Sequence, residues 1–415
     1  MKTKRIAEDT NQTHTLASLN PGISEKSLQP SSLYIHIPFC LRKCAYCDFF
    51  SVPYDESFAY AYTNALCKEL YLKRASADRL KTVYLGGGTP SLLPDSCFNR
   101  IFSCLKNNFH FTRDAEISVE ANPGTLTQSK VELLVSLGVN RMSLGIQSLS
   151  DSELKILGRI HTADDAIRSL DMMRISGLRN VSIDLMYGIP GQSLDSWHET
   201  IVRSVEYLPK HISAYELTLE EGTRLYNEIK NPPSFLKGGK ERFLDEFKIP
   251  HEDIILDMYD QTIDHLQRSG YTQYEISNFA QSGFRCLHNL NYWERGEYIG
   301  AGAGAHSFLQ GKRSVNVKDI HDYIERLNSN QQPERESTMI PPAEILKEFL
   351  FLGLRVTEGI CITDAKNLGL DIVSAVGELV QAGYLAVDND SVRFTRKGIV
   401  LSNSIYIRIF EKLGL

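Results

Sequence analysis

The sequence predicts an α/β protein: a parallel sheet curled into a partial (β/α)6 barrel, then a smaller C-terminal winged-helix-like α+β domain. Three observations carry that expectation. From Ser31 onward, short β-rich runs alternate with longer runs of helical periodicity. Gly138-Val-Asn-Arg-Met-Ser143 and Gly177-Leu-Arg-Asn-Val-Ser182 repeat a helix-ending glycine followed by a strand at an offset of 39 residues, the length of one strand–helix unit with its loops. After about Gln310 this rhythm fades, and two helical patterns and a hairpin pattern follow.

Taken in order, residues 1–30 are polar, rich in Ser, Thr and Asn, and read as a flexible tail. Residues 31–310 hold the barrel. Its strands are expected at 33–37, 82–85, 116–120, 141–144, 181–185 and 212–217, each carrying β-branched or aromatic residues or ending near Gly, Pro, Ser or Asn. Between two of them, Ala163, Ala166, Ile167, Leu170 and Met173 form one apolar helix face, with Thr162 as N-cap and Gly177 as the stop. Leu194, Trp197, Ile201, Val205 and Leu208 form another, capped by Ser193. Residues 311–340 read as a polar connector. Residues 341–415 read as the second domain, with helices at 343–352 and 371–381 and strands around Tyr384 and Arg393 flanking an Asp388-Asn-Asp turn. Winged-helix modules often bind DNA, but eight Lys/Arg against nine Asp/Glu in this stretch argue against that role.

Composition excludes several classes. The chain has 415 residues, 23% charged and 42% hydrophobic, with 45 Lys/Arg against 51 Asp/Glu and a formal charge of −6. That is globular composition, and its mild acidity does not fit a general nucleic-acid binder. No apolar run reaches the roughly 18 residues of a membrane span; the most apolar stretch, 345–354, is broken by Lys347 and Glu348. The N-terminus has no apolar core of a secretory signal, and Glu8 and Asp9 argue against an organelle transit peptide.

Eight cysteines are too few for a disulfide scaffold in so long a chain. Five are scattered, but Cys40, Cys44 and Cys47 lie within eight residues, directly after the first strand. Three thiolates on a tight loop suit an iron–sulfur cluster or zinc. Structural zinc normally takes four protein ligands and no fourth lies nearby, whereas a four-iron cluster held by three cysteines keeps one iron open to another ligand. Three free cysteines gathered by chance remain the bland alternative.

Other polar residues fall at strand ends, where the site of a parallel α/β sheet lies. Gly86-Gly-Gly-Thr-Pro90 follows the second strand, and consecutive glycines let a backbone approach a ligand closely; alone, they would be a plain tight turn. Glu120 ends the third strand, Gln147 follows the fourth, Arg159 lies twelve residues on, and Asp184 ends the fifth. Carboxylates can hold an ammonium or ribose hydroxyls, and an arginine can pair with a carboxylate.

Together these segments resemble a known family. Tyr34-Ile-His-Ile-Pro-Phe-Cys40, Gly86-Gly-Gly-Thr-Pro-Ser91, Glu120-Ala-Asn-Pro-Gly124, Gly145-Ile-Gln147, Leu157-Gly-Arg-Ile-His161 and Asp184-Leu-Met-Tyr-Gly-Ile-Pro-Gly191 are similar to motifs of the coproporphyrinogen oxidase-like (HemN-like) branch of radical S-adenosylmethionine (SAM) proteins. The resemblance runs from about Ser31 to the C-terminus. It implies a radical SAM barrel with a [4Fe–4S] cluster on Cys40, Cys44 and Cys47, whose open iron is chelated by SAM. It also implies SAM contacts by Tyr34, Gly87, Gly88, Thr89, Glu120, Gln147, Arg159 and Asp184, and a HemN-like accessory domain at the C-terminus.

Two functions meet in that branch: the HemN oxygen-independent coproporphyrinogen III oxidase of porphyrin biosynthesis, and the HemW heme chaperone. HemN proteins typically carry a further Cys two positions after the third ligand, where this chain has Phe49, and a longer N-terminal segment than the short polar tail here. His288-Asn-Leu-Asn-Tyr-Trp293 resembles the HNxxYW motif of HemW. The resemblance therefore implies a heme chaperone, capable in principle of SAM cleavage, with heme as cargo; the second SAM described for HemN-type sites does not carry over with it, because the HemN-specific flanks are absent. It further implies a cytoplasmic chain, free or peripheral at the membrane, monomeric or homodimeric, that delivers heme to acceptors such as respiratory proteins. His288 is the expected heme ligand, with Tyr292 and Trp293 offering flat apolar surface. Cys286, His36, His161 and His306 are the alternatives, and a packed loop is the plain reading of the segment.

Overall fold

The computed structural model describes residues 31–77, 79–230, 248–388 and 390–415; the expected tail lies outside them. Contacts divide the described chain into two compact units, one running to Thr357 and one from Glu358 on.

All six expected strands of the larger unit form: β1 (Ser32–Ile37), β2 (Arg79–Gly87), β3 (His110–Ala121), β4 (Arg141–Gln147), β5 (Asn180–Tyr187) and β6 (His211–Glu216). They pair in sequence order and all in parallel. The helices that return the chain between them include α1 (Glu56–Lys73), α2 (Asp95–Asn108), α3 (Gln128–Leu137), α4 (Ala163–Ile175) and α5 (Leu194–Glu206). The repeat has a concrete cause: Gly138 and Gly177 both turn the chain out of a helix at positive φ, 107° and 75°. Thr162 caps α4 in a full capping box with Asp165, and Ser193 caps α5.

Alternation along the strands separates two faces. Leu33, Ile35, Val83, Leu85, Val119, Met142, Leu144, Ile183, Leu185 and Ile212 are apolar and fully buried. The residues of opposite parity are polar and bond one another across strands: Tyr84 to Glu120, Ser143 to Asp184, Ser182 to His211. One face of the sheet is thus a hydrocarbon layer, and the other a polar interior whose groups satisfy one another.

The structure adds elements the sequence reading lacks. After β6, α6 (Glu252–Arg268) leads to β7 (Thr272–Gln273) and β8 (Asn278–Ala280), an antiparallel edge on β6. Helix α7 (Leu287–Trp293) follows, and then β9 (Ile299–Ala301) joins β1 as a seventh parallel strand. The polar connector expected at 311–340 is instead folded. β10 (His306–Leu309), β11 (Lys312–Asn316) and β12 (Glu334–Met339) form an antiparallel sheet, and α8 (Ile320–Asn328) buries Ile320, Tyr323 and Leu327. Only three of its nine residues are apolar and buried, which is why its composition reads as linker.

Glu69 of α1 ties this segment down. Its buried carboxylate accepts from the Gly302 amide, the Asn316 amide nitrogen and the Tyr323 hydroxyl, and pairs with Lys73 at 2.6 Å. A buried charge so fully partnered fixes α1, the end of β9 and α8 in register. Helix α9 (Pro342–Gly353) closes the larger unit, Glu348 bonding both Arg295 and Arg313. The C-terminal unit holds helices Ile362–Asn367, Ile372–Gln381 and Ser402–Leu413 and a three-stranded antiparallel sheet whose hairpin is Leu385–Asp388 and Ser391–Phe394; the helix at 371–381 and the hairpin are as expected, whereas the helix expected at 343–352 falls in the larger unit.

Candidate functional site

The cysteine loop is pinned at several points. Phe39–Cys40 pairs with Val52–Pro53, closing residues 41–51 into a ring. Ala45, buried inside that ring, donates to the Leu157 carbonyl (2.9 Å) and accepts from the Leu225 amide (2.8 Å). The backbone of the loop is therefore held by protein, leaving the Cys40, Cys44 and Cys47 thiols half-exposed. All three line a cavity of about 470 Å³, within the size range of small-molecule sites.

Gly87, Gly88, Thr89, Glu120, Gln147, Arg159 and Asp184 line the same cavity. The strand-end rule thus brings together every expected SAM position except Tyr34. The glycines are there because nothing else fits. Gly87 has φ 115°, and a Cβ on it would lie 2.4 Å from the His36 ring; one on Gly88 would lie 2.7 Å from the Phe39 carbonyl oxygen. The amides of Gly88 and Thr89 donate to Ile37 and Phe39, stapling the glycine turn to the base of the cysteine loop.

Glu120 accepts from the Tyr84 hydroxyl (2.8 Å) and the Gly87 amide (3.1 Å). Burial lifts its carboxyl to about 7; the Tyr84 bond opposes this, and the Asp184 charge adds to it. Asp184 is also pushed up by burial, against hydrogen bonds from Ser213 and Ser143. Two buried carboxyls on one cavity favour an incoming cation. Arg159 reaches in from the opposite charge class. Its Nη2 donates to the Gly145 carbonyl (2.5 Å) and to Asn122 Oδ1 (2.6 Å), and its Nη1 to Cys44 Sγ (3.4 Å). Its Nε is buried with no partner, a donor left for a ligand. Gln147 sits at a register shift of β4 with φ 69°, a strained conformation at the cavity wall.

These residues fit a cluster with SAM. Paired carboxyls match an ammonium, the free guanidinium donor matches a carboxylate, and the glycine turn admits a backbone contact. Among the described residues no three His, Cys, Asp or Glu side chains gather closely enough to ligate a single ion. Thiols around a four-iron cube stand farther apart than ligands of one ion.

Two expected site residues lie elsewhere. Tyr34 does not line the cavity. Its hydroxyl bonds His36 Nδ1 (2.9 Å), and His36 Nε2 bonds the Phe50 carbonyl (3.1 Å), so Tyr34 sets the imidazole that supports Gly87. His288 belongs to a helix, not a loop, and is 1% exposed. Its Nδ1 bonds Thr82 Oγ1 (2.8 Å), its Nε2 bonds the Tyr292 hydroxyl (2.9 Å), and its ring stacks on Tyr84 at 5.0 Å. Both nitrogens are spent, and burial lowers the group to about 3. Glu116 receives the Leu287 and His288 amides, locking the start of α7 into the polar interior. In this structure the expected heme ligand His288 serves instead as an internal partner for the polar side chains of the barrel. The Tyr292 hydroxyl is committed to His288, and Arg355 lies over the Trp293 ring at 4.5 Å.

Asn122 is the residue the sequence reading passed over. Its Nδ2 donates to Thr89 Oγ1 while its Oδ1 receives Arg159, which joins three strand ends. It stood within the Glu120-Ala-Asn-Pro segment, and its position two residues after Glu120 was the available signal.

Comparison with known proteins gives consistent matches. Residues 34–203 match the radical SAM superfamily, and residues 340–401 match the HemN C-terminal domain. The chain is 34% identical to the heme chaperone HemW of Bacillus subtilis over 90% of this chain and 98% of that one. It is 35% identical to the heme chaperone HemW of Escherichia coli over 91% and 97%. The solved structure of coproporphyrinogen III oxidase (HemN) from Escherichia coli superposes with a TM-score of 0.77 at 21% identity, covering 97% of this chain and 94% of that one, a likeness of fold.

Proposed function

This chain belongs to the heme chaperone HemW family of radical SAM proteins, and from that premise we propose that it binds heme and delivers it to acceptor proteins. The observation that carries the reading is identity of about one third along nine-tenths of the chain to proteins of that name. The cavity agrees with it. Cys40, Cys44 and Cys47 hold a [4Fe–4S] cluster at its mouth; Glu120 and Asp184 meet the ammonium and ribose of SAM; Arg159 Nε takes its carboxylate; Gly87 and Gly88 give the methionyl group backbone contact. When bound, the cluster supplies the low-potential electron that radical SAM proteins pass to SAM. Phe49 stands at the cavity wall where a HemN protein would carry a further cysteine, which separates this site from that of the oxidase.

Among the described residues no helix is long and apolar enough to cross a membrane.

The reading is tested by incubating the anaerobically reconstituted protein with coproporphyrinogen III, SAM and a reductant, with a HemN oxidase as positive control. The expected outcome is unchanged coproporphyrinogen in the HemW-family sample and decarboxylated product in the control. Catalytic conversion at a rate near the control would replace the chaperone assignment with the oxidase.

A further inference from the structure

Heme presents a flat apolar ring, two carboxylates and an iron that accepts an axial imidazole. The inference below rests on the reading that this chain carries heme, and concerns where it sits. Near the C-terminal ends of the strands, two histidines are already committed. His36 bonds Tyr34 and Phe50, and His161 Nε2 bonds the Ile146 carbonyl; burial lowers each to about 4.

His306 differs from both. It is exposed at the start of β10, and its ring has no hydrogen-bond partner among the described residues. Its surroundings are aromatic and cationic. Two residues earlier, a Cβ on Gly304 would lie 3.1 Å from Phe50 Cδ1 and 3.4 Å from Lys318 Cγ, so this turn abuts both side chains. The His36 ring, stacked on Phe50 at 5.8 Å, lies within reach of the His306 charge. The next residue along from Phe50 is Phe49, 68% exposed and part of the cavity wall. An open imidazole, an open aromatic ring and the cavity mouth therefore follow one another along a single rim.

Charge completes the match. Lys318, Lys43 and Arg42 have no acidic partner among the described residues, and Lys43 and Arg42 line the cavity beside Phe49. Among the acidic residues of the same cavity, Glu216 and Glu220 come from the end of β6 and the loop after it, while Asp48 stands on the cysteine loop next to Phe49, where Arg42 and Lys43 outnumber it. Partial burial and the nearby Lys318 and Arg313 charges hold His306 below its ordinary value, which keeps its lone pair free for iron near neutrality.

We propose that heme docks on this rim, with Phe49 stacked on the macrocycle, His306 as axial ligand to the iron, and Lys318 and Lys43 paired with the propionates. Heme so placed lies beside the cysteine loop, at the part of the cavity that Phe49 and Lys43 line. An exposed phenylalanine next to a cluster ligand, otherwise a solubility cost, gains a function.

The test is a titration of ferric heme into the cluster-reconstituted full chain, read by the Soret band. Wild type, His306→Ala, Phe49→Ala and the distant exposed control His198→Ala are compared at matched iron content. The expected result is one saturable heme in wild type and control, with affinity weakened at least about tenfold and a displaced Soret maximum in His306→Ala. Phe49→Ala should weaken binding with the wild-type spectrum retained. Added imidazole should restore the spectrum in His306→Gly. Equal spectrum and affinity in wild type and His306→Ala would overturn this placement while leaving the chaperone reading intact. No saturable heme in wild type would overturn both.

Discussion

Exchanging Cys40, Cys44 or Cys47 for Ala, one at a time, should take the reconstituted protein from about four irons per chain to nearly none. Each thiol stands on a separately fixed point: Cys40 in the two-residue strand pair, Cys44 next to the anchored Ala45, and Cys47 in the turn whose amide donates to the Cys44 carbonyl. With the loop held this way, the other thiols of the larger unit stay where their own elements fix them. Cys67, Cys97 and Cys104 belong to α1 and α2, and Cys286 is 1% exposed beside Glu116. The fold should survive, because the loop backbone is held by Leu157, Leu225 and Val52 rather than by metal. Iron and sulfide analysis with the 400-nm absorption gives the readout. Wild-type iron content in all three variants would refute the three-cysteine cluster.

The second large effect is expected at Gly87. A Cβ there meets the His36 ring at 2.4 Å, and the residue has φ 115°. His36 cannot step aside, since Tyr34 holds one nitrogen, the Phe50 carbonyl the other, and Phe50 stacks on the ring. Gly87→Ala therefore combines backbone strain of about 1–3 kcal/mol with overpacking of about 1–3 kcal/mol. It also displaces the amide that Glu120 accepts. Gly177→Ala is the natural comparison: its φ is also positive, 75°, but nothing lies within 4 Å of the added carbon. Both variants should lower the thermal midpoint, Gly87→Ala by more, and only Gly87→Ala should also weaken SAM in equilibrium dialysis. Equal SAM binding by both would remove the glycine turn from the site.

Much of this molecule was legible because its strands carry a clean parity. Apolar Leu33, Val83, Val119 and Leu144 alternate with polar residues, so each strand centre stood out, while its ends did not. Arg79, His110 and Asn180 begin strands β2, β3 and β5, yet look like loop residues. They extend strands through pairing with a neighbour, which no local pattern reports. β9 was missed for the same reason: Ile299-Gly-Ala301 has little strand character, and only its pairing with Leu33, Tyr34 and Ile35 makes it one.

The site was legible where motif and strand end coincided, and illegible where partners decide availability. His288 and His306 look alike in sequence as exposed-type histidines. One is closed off by Thr82, Tyr84 and Tyr292, which come from β2 and α7; the other stands open. The folded segment 311–340 was hidden by composition, because one buried carboxylate, Glu69, far away in sequence on α1, binds its Asn316 and Tyr323.

The most direct measurement follows the cargo itself. Cluster-reconstituted protein loaded with one heme is mixed with a heme-free respiratory cytochrome, and the acceptor spectrum is followed after the two are separated. The account predicts transfer of intact heme to the acceptor, with the chain left heme-free and its cluster retained. Heme that never binds in stoichiometric amount, or that stays on the chain while the acceptor remains empty, would contradict it.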